Sequence, residues 1–215
     1  MALRVDIVSD VVCPWCAVGF KQLEQAVAAS GHEIEVYWHP FELNPQMVPE
    51  GQNLREHLAE KYGSTKEQSD EVRGKLKELG NDLGFAFNFK DDSRIFNTFN
   101  AHQLIHWAGE QGKAHDLKLA LLTAYFSDGK DVSDTEVLLG EVARIGLDAD
   151  QAREAIESGE FTDMVRSKQE FWHSRGINSV PSMIFDSKHL VPGAQGTETY
   201  ISILQQLAGQ SADKG

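Results

Sequence analysis

Cys13 and Cys16 are the only cysteines in this 215-residue chain, and just Pro14 and Trp15 separate them. Two thiols at that spacing serve as a dithiol–disulfide couple, as half of a zinc site, or as small core residues. Redox chemistry needs a thiolate, because the thiolate is the nucleophile. Pro14 suits the first turn of a helix, where its missing N–H would have no partner anyway. That places Cys13 at the N-cap, where free N–H groups and the macrodipole favour negative charge. Cys16 follows about one turn later on the same side, so the spacing predicts an exposed attacking thiol and a shielded resolving one. Zinc needs two further ligands. His102 and His106 form an H-x3-H pair that a helix would set on one face, but they lie far along the chain. Pro14 and Trp15 also suit a zinc knuckle poorly, and His115 has no obvious partner. Inert packing leaves the helix-start position unexplained. The redox reading is preferred, with a zinc-binding module as its alternative.

Composition narrows the classes of partner. The chain is 25% charged and 41% hydrophobic, with a formal net charge of -13. A phosphate backbone or an anionic membrane surface would be repelled on average, so neither nucleic acid nor membrane is expected as a partner. No window approaches the roughly 18 apolar residues of a membrane span. The opening "MALRVDIVSD" lacks the apolar run of a secretory signal, so a cytoplasmic location is expected. There a close cysteine pair is more often catalytic or metal-binding than structural. No Gly-rich phosphate loop or serine triad stands out.

The elements that must position the cysteines follow from periodicity. Leu3, Val5 and Ile7 alternate as a strand. A helix follows from the cysteine motif, carrying Phe20, Leu23 and Val27 on one face and stopping at Gly31. Ile34, Val36 and Trp38 then alternate as a second strand, completing a βαβ unit with the CxxC at its turn. Residues 51–175 read as a helical block. In it Val72, Leu76, Leu79 and Leu83 repeat at helical spacing, as do Leu104, Trp107 and Ala108. The same holds for Leu117, Leu121, Leu122 and Tyr125, and for Val137, Val142 and Ile145. Phe85, Phe87 and Phe89 suggest a short extended segment packed into this block. "VPSMIFDSKHLVPG" reads as a hairpin turning near Asp186-Ser187-Lys188. A final helix has Thr197 as its expected N-cap, and a polar tail after Gly209 is expected to fray. Residues 1–50 and 176–215 together supply four strands, whereas each flank alone is too small for a core.

The motifs "SDVVCPWCAVG", "NTFNAHQLIHWA", "INSVPSMIF" and "VPGAQ", in that order, resemble the DsbA-like branch of the thioredoxin superfamily. More closely, they resemble the cytosolic FrnE-like dithiol–disulfide oxidoreductases. The resemblance implies an α/β fold: a thioredoxin-like domain (βαβ…ββα, residues 1–50 and 176–215) interrupted by an all-helical insertion (51–175). It implies thiol–disulfide oxidoreductase or isomerase activity through the Cys13-Pro14-Trp15-Cys16 motif, with Cys13 as nucleophile and Cys16 as resolver. Pro181 would be a cis-proline facing the cysteines, and the Val180 backbone would pair with an extended substrate.

Kappa-class glutathione transferases and hydroxychromene-carboxylate isomerases are similar in architecture, with serine or a similar residue where Cys13 stands. Their glutathione site would map to Val180, Ala194 and Gln195, so a glutathione-dependent transferase or isomerase is a further alternative. Retention of both cysteines favours dithiol chemistry, and an interaction protein or holdase would need neither. Two positions depart from the family pattern. Ser179 stands where glycine is common, and Trp15 replaces the histidine of periplasmic DsbA, which suggests a less oxidising couple. If the helix of "NTFNAHQLIHWA" caps the site, Asn97 and His102 would contact substrate; otherwise His102 is a hydrogen-bonded structural histidine. Asp10 reads as a solvated turn residue with a lesser claim to accepting a proton, and His39 sits near a strand end that runs toward the same face. No bound cofactor or metal is expected beyond the Cys13–Cys16 disulfide itself. Partners would be thiol or disulfide substrates, protein or small, with glutathione as co-substrate and a dimer as one candidate assembly.

Overall fold

The computed structural model describes residues 2–212. Strand β1 (Leu3–Ser9) leads through the cysteine turn into helix α1 (Pro14–Ser30), and β2 (Ile34–Pro40) returns parallel to β1. Gly31 ends α1 with φ 68°, a left-handed cap that glycine adopts without a Cβ penalty. Near the other end of the chain, β5 (Ser182–Phe185) pairs antiparallel with β1, and β6 (His189–Pro192) pairs antiparallel with β5. The sheet order is therefore β2-β1-β5-β6. Three residues connect β5 and β6; Asp186 and Ser187 take left-handed conformations, φ 49° and 55°, and the Lys188 N–H closes the turn onto the Phe185 carbonyl at 3.0 Å.

Both faces of this sheet are covered. On one, α1 packs against α9 (Thr197–Ala212), and together they bury Val5, Ile7, Phe20, Leu23, Phe185, Tyr200 and Leu204. Each side chain of that size, fully buried, contributes roughly 1.5–3 kcal/mol. On the other face Val8 and Ile184 pack with Phe41, Ile177 and Trp172.

Between β2 and β5 run α2 (Leu54–Tyr62), α3 (Lys66–Asp82), α4 (Phe99–Glu110), α5 (Ala114–Phe126), α6 (Thr135–Arg144), α7 (Ala149–Ser158) and α8 (Thr162–Ser174). The largest buried cluster joins this helical segment to the cysteine turn, with Val11, Val12, Ala17 and Val18 packed among Leu76, Leu104, Leu121, Leu122 and Phe126. The expected extended segment is present as a ring cluster, with Phe87 against Phe126 at 5.2 Å and stacked on Phe89 at 5.9 Å.

Several expectations need correction. The insertion carries a two-stranded ladder, β3 (Gln52–Asn53) with β4 (Arg94–Ile95), too short to leave a periodic trace. Val72 is 44% exposed, because α3 buries a narrow face centred on Leu76. Thr197 is the first residue of α9 and not its cap, its Oγ1 lying 3.1 Å from Gln25 Oε1. The polar tail continues α9 to Ala212, and its last part, 213–215, lies outside the described residues.

Asp6 ties the two parallel strands together beneath the sheet face. It receives a bidentate pair from Arg4 (Nε and Nη2, both 2.7 Å) and lies 2.7 Å from His39 Nε2. Burial alone raises this carboxyl, but the Arg4 and His39 hydrogen bonds and charges outweigh it and hold the group at about 2. A carboxyl lowered on folding contributes stability in full above its unfolded value near 3.8, and that stability fades as pH falls through about 2. Asp6→Asn is therefore expected to destabilise the protein at neutral pH and to flatten the acid limb of its stability curve. Urea midpoints measured from pH 6 down to 2 test this, and an unchanged acid limb would refute it.

Candidate active site

Cys13 is the N-cap of α1, with φ −90° and ψ 111°, and Pro14 is the first helical residue. The Cys16 N–H donates to the Cys13 carbonyl at 3.1 Å. Both cysteines are free thiols and both are buried, at 3% and 1% exposure. The expectation of an exposed attacker is thus corrected. The turn before β5 lies over Cys13, and its thiol donates to the Val180 carbonyl at 3.6 Å. The Val180–Pro181 peptide is cis. This turn approaches α1 closely at Gly19, where a Cβ would sit 3.2 Å from Pro181 Cγ and 3.5 Å from Ala194 Cα. A glycine there lets the loop seat against the helix that carries both sulfurs.

Beneath the cysteines lies a buried polar set. Asp10 has no exposed surface, so it is not the solvated turn residue expected. Its Oδ1 accepts from the Val11 N–H at 2.7 Å and its Oδ2 from the Leu43 N–H at 2.8 Å. His102 Nε2, on α4, lies 2.9 Å from the Phe41 carbonyl and 3.3 Å from Asp10 Oδ1. A carbonyl only accepts, so Nε2 carries the hydrogen and shares it between the two oxygens. Burial by itself raises the Asp10 carboxyl; the His102, Leu43 and Lys118 interactions outweigh it and leave the group below its ordinary value.

Lys118, on α5, is 1% exposed, with Nζ 5.4 Å from the centre of the Trp38 ring. Burial pulls this lysine down, while negative charge on Cys16, Asp10 and Cys13 opposes the shift. The Cys16 thiol is pushed well up, first by burial, then by its hydrogen bond with Cys13 and the charge there; Lys118 pulls it back. The set is chemically suited to moving a proton between a buried thiol and a buried base.

In front of the cysteines opens a cavity of about 900 Å³. Cys13, Pro14, Trp15 and Val180 form one side, and residues of α2 and α3 form the other. Among the described residues, no group of three or more His, Cys, Asp or Glu is arranged to hold a metal ion. No helix among them is long and apolar enough to cross a membrane.

A strand–helix–strand start with a CxxC turn, a helical segment, a hairpin and a closing helix define an architecture that can be matched as a whole. The description of the DSBA-like thioredoxin domain fits residues 4–205. The chain belongs to that family. A probable DsbA oxidoreductase of Streptomyces coelicolor has a crystal structure that superposes on this DSBA-like chain with a TM-score of 0.90. The two are 32% identical, over 96% of this chain and 90% of that one. YwbO of Bacillus subtilis is 26% identical over 201 residues, 93% of this chain and 94% of its own length. The cytosolic disulfide reductase DsbM of Pseudomonas aeruginosa, solved with glutathione, shares 16% identity and a TM-score of 0.66 over 96% of this chain and 99% of that one. At that identity the likeness is one of fold.

Within this DSBA-like frame the sequence-selected residues separate. Pro14, Trp15, Val180 and Pro181 surround the cysteines. Ala194 packs half-buried behind the cis-proline, whereas Gln195 is exposed and turns its Nε2 back onto the Pro192 carbonyl. Asn97 does not line the cavity; its Oδ1 caps the start of α4 by accepting from the Phe99 N–H at 2.9 Å. His106 faces Lys168 at 3.1 Å, and His39 belongs to the Asp6 pair. His115 does have a partner, accepting from Trp38 Nε1 at 3.2 Å. Sequence reasoning missed Lys118, although its spacing from Leu122 and Tyr125 places it on the apolar stripe of α5.

Replacing Asp10 with Ala leaves the buried Val11 and Leu43 N–H groups without an acceptor and His102 with the Phe41 carbonyl alone, so a loss of about 3 kcal/mol is expected in urea unfolding. Asn97→Ala removes only a helix cap and is expected to cost about 1 kcal/mol. It should leave the alkylation rate of Cys13 unchanged, and an altered rate would place Asn97 in the site after all.

Proposed function

We propose that this protein is a cytoplasmic thiol–disulfide oxidoreductase in which Cys13 exchanges with substrate and Cys16 resolves the product. The observation that carries the reading is a helix-capping thiol, Cys13, that faces the Val180–Pro181 turn at one end of a cavity, with a second free thiol, Cys16, buried one turn behind it on the same helix. Membership of the DSBA-like thioredoxin domain family supports it. As a reductant, the Cys13 thiolate attacks one sulfur of a substrate disulfide, and the other sulfur leaves as a thiolate. Cys16 then gives up its proton and attacks the Cys13 sulfur. The mixed disulfide breaks, the second substrate thiol departs, and the Cys13–Cys16 disulfide holds the two electrons' worth of oxidation. As an oxidant, the same steps run in reverse.

Lys118 is the group suited to take the Cys16 proton. Burial disfavours its ammonium form when it stands alone, and a thiolate beside it restores that form. The Val180 backbone borders the position where an extended substrate would lie against the sulfur. Glutathione is the proposed reagent that resets the couple, which makes the direction of flow a matter of potential against the glutathione pool.

Three measurements test this reading. In glutathione redox buffers, with thiols trapped and weighed by mass spectrometry, Cys13 and Cys16 are expected to oxidise together and reversibly; absence of an intramolecular disulfide under oxidising conditions would sink the proposal. Cys16→Ser is expected to accumulate a mixed disulfide on Cys13. Lys118→Met should slow its release in the otherwise intact enzyme by about tenfold while leaving the first attack unchanged. An equal slowing of both steps would remove Lys118 from the resolving role.

A further inference from the structure

The cavity in front of Cys13 has a polar feature that the exchange chemistry does not use. Its walls are mainly apolar, with Leu54, Leu58, Leu76, Ile95 and Phe126 among them. On α3, Ser69 and Arg73 stand one helical turn apart and both line it. Ser69 is 95% buried by its 5% exposure, and its Oγ has no hydrogen-bond partner. Arg73 spends Nη1 on the Lys90 carbonyl at 3.0 Å, but its Nε and Nη2 are buried without partners.

The nearest acids do not satisfy it. Asp70 is taken by Arg55 at 2.5 Å and by Lys66 at 2.7 Å, and Asp91 by Arg55 at 2.9 Å. Glu71, the one carboxylate among the described lining residues, is exposed. His57 also lines the cavity, but burial lowers it and its Nδ1 lies 2.9 Å from Gln52 Oε1, so it adds no competing cation at neutral pH. Buried donors without partners are rare in native proteins, and a guanidinium fork with two free N–H groups matches a carboxylate or other oxyanion. A volume of about 900 Å³ is the size of a small-molecule site.

We propose that this cavity takes a small disulfide with an apolar body and an anionic group, its sulfur at Cys13 and its anion on Arg73 and Ser69. The inference rests on the redox reading above and names the substrate class for it. In the reaction, the Cys13 thiolate bonds to one substrate sulfur as the substrate S–S bond breaks. Cys16 then bonds to Cys13 and releases the second thiolate. Two electrons pass from the dithiol to the substrate, and the two cysteine protons end on the two product thiols. The net charge of -13 sharpens the expectation, because an anionic substrate is repelled by the protein as a whole and gains only where a local cation receives it.

The test uses the full-length reduced protein and two aryl disulfides with the same body: dithiobis(nitrobenzoate), which carries ring carboxylates, and its neutral dimethyl ester. Wild type is expected to show the lower KM for the carboxylate form. Arg73→Gln is expected to raise that KM roughly tenfold and to leave the ester unchanged, so the ester reports that the variant is folded and its cysteines active. Ser69→Ala should act in the same direction and less strongly. Equal KM values for the two probes in wild type, or an equal change for both in Arg73→Gln, would overturn the proposal and leave the redox reading standing. So would reduction of insulin disulfides with neither aryl disulfide turned over. Turnover that survives Cys13→Ser would overturn both.

Discussion

A carboxylate with no exposed surface sits three residues before the first cysteine, and the placement of the site depends on satisfying it. Burying an ionised group without partners is prohibitively costly, so Asp10 must receive hydrogen bonds from whatever surrounds it. Its partners come from separate parts of the chain: the Val11 N–H from the cysteine turn, the Leu43 N–H from the loop after β2, and His102 from α4. One charged group thereby fixes the turn that carries Cys13, the end of the parallel strand pair and the first long helix beyond α3. His102 extends the tie, because the same Nε2 hydrogen also reaches the Phe41 carbonyl.

The apolar packing acts on the same elements. Val11 and Val12 leave β1 and enter the cluster built by α3, α4 and α5, so the cysteine turn is held by the helical segment as much as by the sheet. On the far side of α1, Gly19 lets Pro181 and Ala194 approach within van der Waals distance. Cys13 is therefore set between two surfaces fixed independently, the Asp10 network below and the Val180–Pro181 turn above. Its near-complete burial follows from that geometry. In the exchange proposed above, a substrate sulfur would reach Cys13 through the cavity that α2 and α3 wall off, so the helical segment would help select what enters.

Much of this frame was legible from residue order. The strand–helix–strand start is written in alternation followed by helical spacing, and Pro14 and Gly31 mark the helix ends by what their backbones can and cannot do. The hairpin at Asp186-Ser187 was equally plain. What escaped was everything decided by long-range packing. A lone acid after a strand reads as a turn residue, and only the Val11-Val12 pair behind it hinted that the chain dives inward there. Val72 satisfied the periodicity of α3 while facing solvent, because periodicity names a stripe and cannot say how wide a face the neighbours will cover. The ladder of Gln52–Asn53 with Arg94–Ile95 is shorter than any pattern that could betray it. Lys118 is the instructive miss: a long cation on an apolar stripe is a local inconsistency, and such inconsistencies tend to concentrate at functional sites.

Lys118 and Asp10 oppose one another beneath the sulfurs, and that opposition bears on the couple. A buried cation favours the thiolates of the reduced form, and a buried carboxylate disfavours them. Burial of Cys16 also acts against its thiolate, while the charge of Lys118 acts in the opposite direction. A Cys13–Cys16 disulfide, as proposed above, would remove both sulfur charges and leave Lys118 with Asp10, in a setting where desolvation opposes the charged lysine. In the proposed couple proton and electron would thereby be linked: oxidation would weaken the grip of Lys118 on its proton, and reduction would restore it. Trp15 brings no charge to the motif, and the cation buried beside the cysteines is the lysine on α5. The insertion thus does more than wall the cavity, because it places a fully buried lysine beside the two cysteines.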